Sequence, residues 1–214
     1  MTSRLPNPYL CAALLAALVV FAANLATPTT AYAQEAVASL DAHLLEQNAD
    51  RLAINQTGMS VLLGWSALNM GVGTWGYFAS KGRWKYFHQM NAAWNVVNGA
   101  IAVGSLIGAG GEDPASFGLL ATIEEAQFIE KVLLFNAGLD IGYIAAGAYL
   151  NERGLRKDSD RLVGYGRSVM LQGAFLLVFD GVLFWLHNQN TSDFLMRVEP
   201  LVGDATGAAL TISF

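Results

Sequence analysis

The sequence predicts an all-α membrane protein: a cleaved signal followed by a four-transmembrane-helix antiparallel bundle, with short periplasmic helices and a small C-terminal β-hairpin. Three observations predict it. The 214 residues are 54% hydrophobic and only 14% charged, against about 25% charged in average soluble domains. Four apolar segments, at about 57–80, 91–110, 128–150 and 168–187, each approach the ~20 residues that cross a ~30 Å hydrocarbon core. The basic residues alternate in position. Lys81, Arg83 and Lys85 separate the first two segments, and Arg153, Arg156, Lys157, Arg161 and Arg167 separate the last two. The stretch 111–127 has no Lys or Arg but carries Glu112, Asp113, Glu124 and Glu125. Short basic loops stay in the cytoplasm. Both basic loops are therefore expected inside, and the mature N- and C-termini and the acidic loop in the periplasm. This is the orientation of a bacterial inner-membrane protein whose first partner is the lipid bilayer.

Residues 1–33 read as a signal peptide. Arg4 supplies a basic n-region, "YLCAALLAALVVFAANLA" an apolar h-region, and "AYA" (Ala31 to Ala33) the small residues that signal peptidase needs, with Gln34 as the new N-terminus. The other reading is an uncleaved first transmembrane helix. Cys11 is the single cysteine, which excludes an internal disulfide framework and a cysteine-based zinc site. Residues 34–56 form an amphipathic periplasmic helix, because Leu40, Leu44, Leu45 and Leu52 recur at roughly helical spacing; it can run straight into the first span. Residues 57–188 are the transmembrane domain. Within it, 114–127 reads as a short interfacial helix with Pro114 near its start, where a missing N–H costs nothing. The tail, 189–214, ends in "ALTISF", which alternates with a period of two after the turn-forming "GDATG". Hence the expected hairpin. The net charge of −5 argues against nucleic acid as a partner.

The first and third segments align over "LNMGVGTWGYF" and "LDIGYIAAGAY". That register sets Asn69 on Asp140, Gly71 on Gly142 and Gly76 on Gly147. The second and fourth align over "NVVNGAI" and "LVFDGVL", setting Asn98 on Asp180. A duplication would make each half a helical hairpin, the halves related by an axis along the membrane normal. Chance similarity between apolar helices is the competing explanation.

Residues three and four apart share a helix face. His88, Asn91, Asn95, Asn98, Ala102 and Ser105 make one such stripe. Ser66, Asn69, Gly73, Gly76 and Ser80 make another, Asn136, Asp140, Tyr143 and Gly147 a third, and Gly173, Asp180, Phe184 and His187 a fourth. In lipid these polar or small stripes face partner helices, with side-chain hydrogen bonds worth ~0.6 kcal/mol each on average. "GSLIG" (Gly104 to Gly108) and "GLDIG" (Gly138 to Gly142) have the GxxxG spacing of close helix pairs. Asp140 and Asp180 lie near mid-span, where a charged Asp costs ~2.5–3.5 kcal/mol. Protonation or solvation by amides such as Asn69, Asn98 and Gln172 would lower that cost. Two roles follow: a structural lock, or a polar site for a proton, cation or small ligand. The candidate cluster is Asn69, Asn95, Asn98, Asn136, Asp140, Gln172 and Asp180.

Catalytic patterns are missing. There is no phosphate-binding Gly-rich loop, no H-E-x-x-H and no G-x-S-x-G. "AGLD" and "VFDG" depart from the Gly-x-Gly-Asp motif of presenilin-like intramembrane proteases. His88 and His187 fall at opposite faces and cannot ligate one haem. Trp65, Trp75, Trp94 and Trp185 suit packing or interface positions. No cofactor and no metal is expected. The expected role is a non-enzymatic binding, assembly or sensing module. The alternative is a small oligomeric transporter or proton- or cation-coupled carrier using Asp140 and Asp180; four spans are few for a carrier, so it would need a homo-oligomer or other membrane proteins as partners.

At "GWSALNMGVG", "KYFHQMNAAWNVVNGAIA" and "GYGRSVMLQGAFLLVFDG" the sequence resembles a bacterial family of four-helix membrane proteins known as a domain of unknown function. The resemblance covers roughly 51–187 and implies four spans; it implies no catalytic residue.

Overall fold

The computed structural model describes the backbone of residues 8–212 and the side chains of residues 34–199. Four α-helices account for nearly all of it: α1 (Pro8–Ala79), α2 (Gly82–Ala109), α3 (Leu119–Arg156) and α4 (Asp160–Ile212), with a single 3-10 turn at Pro114–Ser116. Three of them, α2, α3 and the 160–199 part of α4, are long and apolar enough to cross a membrane; the 57–80 segment of α1 is not among them. Two compact units emerge. One, Leu44–Leu195, contains the packed helices described below. The other combines the described parts of 1–43 and 196–214.

The turns are shorter than the sequence suggests. Arg83 and Lys85 belong to α2, Arg153 and Arg156 to α3, and Arg161 and Arg167 to α4, leaving two residues between α1 and α2 and three between α3 and α4. Each turn reverses the chain through one left-handed residue. Gly82 has φ +57°, which glycine adopts without a Cβ penalty. Asp158 has φ 48°, a conformation that Asp tolerates better than most residues. Around Asp158, Ser159 N–H donates back to Gly154 O at 2.8 Å, satisfying a carbonyl at the end of α3. Arg83 of α2 pairs with Asp160 of α4 at 3.5 Å and ties the two turns together.

Two expectations change. The residues 194–214, expected to hold a β-hairpin, continue α4 as far as Ile212, and no strand occurs among the described residues. Extending an existing helix gains one hydrogen bond per residue fixed, whereas an isolated two-stranded hairpin is marginal in water. The expected interfacial helix at 114–127 is a 3-10 turn, capped by Asp113 Oδ1 accepting from Ala115 N–H at 3.0 Å, followed by the first turns of α3 itself. Residues 34–56 do run unbroken into 57–79 within α1. The signal-peptide reading of 1–33 falls on residues whose side chains, and for 1–7 whose backbone, lie outside those described.

The side-chain distribution is inverted relative to a water-soluble protein, whose interior is normally apolar. The largest fully buried side chains are Gln172, Asn48, Asn95, Thr122, Ser66 and Ser168. The buried face of α2 is Asn91, Asn95, Asn98, Gly99, Ala102 and Ala109, close to the stripe read from the sequence. Its outer face shows Val96, Val97, Ile101 and Ile107.

Glycine sets the closest helix approaches, but not at the GxxxG pairs. A Cβ on Gly104, Gly108, Gly138 or Gly142 would meet nothing within 4 Å. On Gly147 it would meet Gly166 O and Met170 N, both at 2.7 Å, and on Gly166 the backbone of Asn151 and Gly147. Gly164, two residues along α4, lies instead against the backbone of Arg83 and Phe87 in α2. Two residues on a helix point to nearly opposite sides, so "GYG" lets α4 press against α2 and α3 at the same level.

The repeat register recurs in these contacts. Gly76 of α1 makes room for the ring of His88 in α2. The positions matched to them by the alignment are Gly147 and Met170, which touch across α3 and α4. A second seam was not foreseen. Ala126, Leu133, Asp140, Gly147 and Gly154 are the buried residues of α3 from 126 onward, seven apart. Gly166, Gly173, Asp180, His187 and Phe194, also seven apart, are buried in α4. A strict seven-residue period belongs to helices that wrap around one another with a left-handed twist.

Candidate functional site

The polar interior divides into separate groups. The first is a closed ring of hydrogen bonds joining α1, α2 and α4. Trp65 Nε1–H donates to Gln172 Oε1 at 3.1 Å. Gln172 Nε2 donates to Asn91 Oδ1. Asn91 Nδ2 donates to Asn69 Oδ1 at 2.9 Å, and Asn69 Nδ2 returns to the Trp65 carbonyl at 2.8 Å. The Trp65 ring also stacks on Phe175 of α4, with centroids 3.8 Å apart and planes 4° from parallel. Both heteroatoms of the Gln172, Asn91 and Asn69 amides are thereby used. The ring is a structural joint in which every amide nitrogen and oxygen has a protein partner.

The second group lines a cleft between α2 and α3. The cleft holds about 640 Å³, within the ~300–1,000 Å³ of ordinary ligand pockets. Its walls are apolar: Met90, Val97 and Ile101 from α2, Val132 and Leu133 from α3, with Met59 and Leu62 of α1 and Leu176 and Phe179 of α4 behind them. Trp94 meets Tyr143 edge-on across it at 4.9 Å. Asn98, Asn136, Asp140 and Asp180 supply polar groups in its lining. Asp140 and Asp180 both line the cleft and lie within electrostatic reach of each other. Asp140 Oδ2 and Asn98 Nδ2 are buried without a hydrogen-bond partner. Among the described residues, no Lys, Arg or His lines the cleft.

Of the seven residues singled out from the sequence, four (Asn98, Asn136, Asp140 and Asp180) therefore share this cleft. Asn136 is half-buried and the other three are buried. Asn69 and Gln172 belong to the ring and do not solvate the carboxyls. Asn95 is fully buried on α2, and its Nδ2 turns back to the Asn91 carbonyl at 2.8 Å. Two ring members were not in the candidate set. Asn91 lay on the predicted stripe, so the periodicity could have found it; nothing in the sequence marks Trp65 as a hydrogen-bond donor to α4.

A third group lies toward the acidic loop. Arg51 of α1 is buried, pairs with Glu112 at 3.4 Å and stacks over Phe117. Asn48 Nδ2 donates to Thr122 Oγ1 of α3 at 2.8 Å. His187 of α4 lies within electrostatic reach of Arg51 and Glu130. His187 and Asp180 share the seven-residue seam, and this spacing was a sequence signal that went unread.

Residues 61–181, more than half of the chain, match the model of a family described as a family of unknown function (DUF6992). The match contains the ring, Asp140 and Asp180. No curated protein and no solved structure matches the chain.

Proposed function

The chain belongs to the family of unknown function DUF6992, and from that premise we propose that it is an integral membrane protein of four spans that binds a ligand, without catalysing a reaction, in the cleft between α2 and α3. The observation that carries this reading is the Asp140–Asp180 pair, set in an apolar cleft with Asp140 Oδ2 and Asn98 Nδ2 unpartnered. A purely structural Asp would be locked by donors, as Asn69 and Asn91 are.

The inverted side-chain distribution supports lipid as the surroundings. It also supports the 57–80 segment as a span. Its mean hydropathy is lowered by Ser66 and Asn69, which face inward, while Val61, Leu68, Trp75 and Phe78 face outward and are more than half exposed. In this reading residues 1–33 are a cleaved signal, the acidic loop and both mature termini are periplasmic, and the membrane is the bacterial inner membrane. A carrier would need an aqueous path to the carboxyls. The exposed wall residues Val97, Ile101 and Phe128 favour entry from the side, which suits a binding module better.

Two measurements test the reading. A reporter fused at Asp160 is expected in the cytoplasm and one at Ser116 in the periplasm, from the split of basic residues across the turns; alkaline phosphatase active at Asp160 and silent at Ser116 would reverse the topology. For binding, the protein extracted into polymer nanodiscs is expected to retain a small molecule that mass spectrometry detects. Val97→Trp, which fills the cleft from an exposed position, should deplete it at least five-fold. Equal amounts in both proteins would remove the cleft from consideration.

A further inference from the structure

The geometry points to a single-chain amphiphile with an ammonium head as the ligand of the α2–α3 cleft, the nitrogen bound by Asp140 and Asp180 and the chain lying along the apolar walls. The inference rests on the binding reading above and names its ligand class.

The head group follows from charge. Among the described residues, Asp140 and Asp180 are the only acidic ones in the cleft, and no basic residue lines it. Two carboxyls share this lining with no basic side chain facing them, so the protein does not compensate negative charge on the pair. Such a charge in an apolar surrounding is costly without a partner. A single cation neutralises it, whereas a carboxylate or phosphate head would add repulsion. The unpartnered Asp140 Oδ2 accepts an N–H from the head. Asn98 Nδ2, the unpartnered donor, suits an oxygen next to that nitrogen.

The chain follows from shape. The lining on α2 runs from Met90 to Ser105, about 22 Å at 1.5 Å per residue. The cleft is therefore long for its volume, as an extended chain requires. Beyond the carboxyls toward Ser105, its apolar walls are Ile101, Val132, Leu133, Ile129 and Phe128, with Asn55 and Ser105 hydrogen-bonded to each other at the far end. Several of these are exposed on the outer surface of the helices, so a molecule dissolved in the bilayer reaches the cleft without crossing water.

The groove related to this one by the internal repeat lies between α4 and α1. It holds about 540 Å³, and its lining includes Ile54, Val61, Val178, Phe179 and Leu186 but no ionisable residue. It is an internal comparison: a chain can lie there, but nothing in it selects a head group.

Native mass spectrometry of the full chain released from detergent micelles, titrated with dodecylamine, dodecanol or dodecanoate at equal concentration, tests the proposal. One dodecylamine adduct is expected, with occupancy at least ten-fold above dodecanol and dodecanoate lower still. Asp140→Asn with Asp180→Asn should bring dodecylamine down to the dodecanol level, and Val97→Trp should remove the adduct. Should the double variant fail to fold, Val97→Trp and the head-group series decide alone. Equal occupancy for all three heads, a preference for dodecanoate, an adduct that survives Val97→Trp, or an amine preference that survives in the double variant overturns the proposal. If the amine preference is missing but Val97→Trp still depletes the co-purified molecule, only the ammonium class fails. If Val97→Trp depletes neither, the binding reading fails with it.

Discussion

Gly166→Ala is expected to lower the unfolding temperature in detergent by roughly 4–8 °C, and Gly166→Leu to leave no folded protein. A Cβ at this position meets the backbone of Asn151 and Gly147 in α3 rather than a movable side-chain end. Relief requires the two helices to separate, and every contact along their seven-residue seam shares that displacement. Overpacking a well-packed site costs typically 1–3 kcal/mol. The upper end, about 3 kcal/mol, applies here, because backbone cannot rotate away. The gain in helix propensity from Gly to Ala, about 1 kcal/mol, leaves a net loss of about 2 kcal/mol, which corresponds to the stated shift for a chain of this size. Gly142→Ala is the control: its Cβ would meet nothing within 4 Å, so propensity acts alone and stability should hold or rise slightly. Thermal unfolding followed by circular dichroism reads both. Equal losses at Gly142 and Gly166 would show that the close approach of α3 and α4 is not where these contacts place it.

Gln172→Met is expected to cost about 2 kcal/mol, or roughly 4–8 °C. Methionine keeps the length and apolar stem of glutamine but leaves Trp65 Nε1–H without its acceptor and Asn91 Oδ1 without its donor. Unsatisfied buried groups cost ~1–3 kcal/mol each in soluble proteins. Hydrogen bonds between membrane helices average ~0.6 and reach ~1.7 kcal/mol, because the separated helices also find partners. The expected value sits between these because one side chain serves two fully committed partners. Adding Trp65→Phe removes the orphaned indole N–H while keeping an aromatic ring against Phe175. The double variant should therefore recover about half of the loss, the non-additivity expected of residues in one network. Strict additivity of the two losses would mean that the ring does not act as a unit.

The inward direction of the amides was legible from the sequence because a 3.6-residue period places Asn91, Asn95, Asn98 and Ala102 on one face, and the structure buries that face. The turns between α1 and α2 and between α3 and α4 were legible as basic breaks, although most of the basic residues proved helical, since charge does not stop a helix. The correspondence between Gly76 and Gly147 was visible as an alignment, and contacts with His88 and Met170 at matched positions give it physical content. The tail was misread because a period of two over six residues is a local pattern, and the continuing helix α4 outweighs it.

What the tertiary structure alone decided is which polar residues meet. Sequence spacing assigns a residue to a face, but helix rotation and depth determine what that face touches. Asn69 and Gln172 joined Trp65 and Asn91 in a ring, while Asn98 joined Asp140 and Asp180 in a cleft, although all had looked equivalent as intramembrane polar residues. The same reason explains the glycines. GxxxG spacing at 104–108 and 138–142 describes a smooth face, but among the described residues nothing lies within 4 Å of a Cβ there; the faces at Gly147, Gly164 and Gly166 are the ones that α2, α3 and α4 press together. A helix carries its pattern in its own sequence, whereas its neighbour is chosen by the packing of the whole bundle.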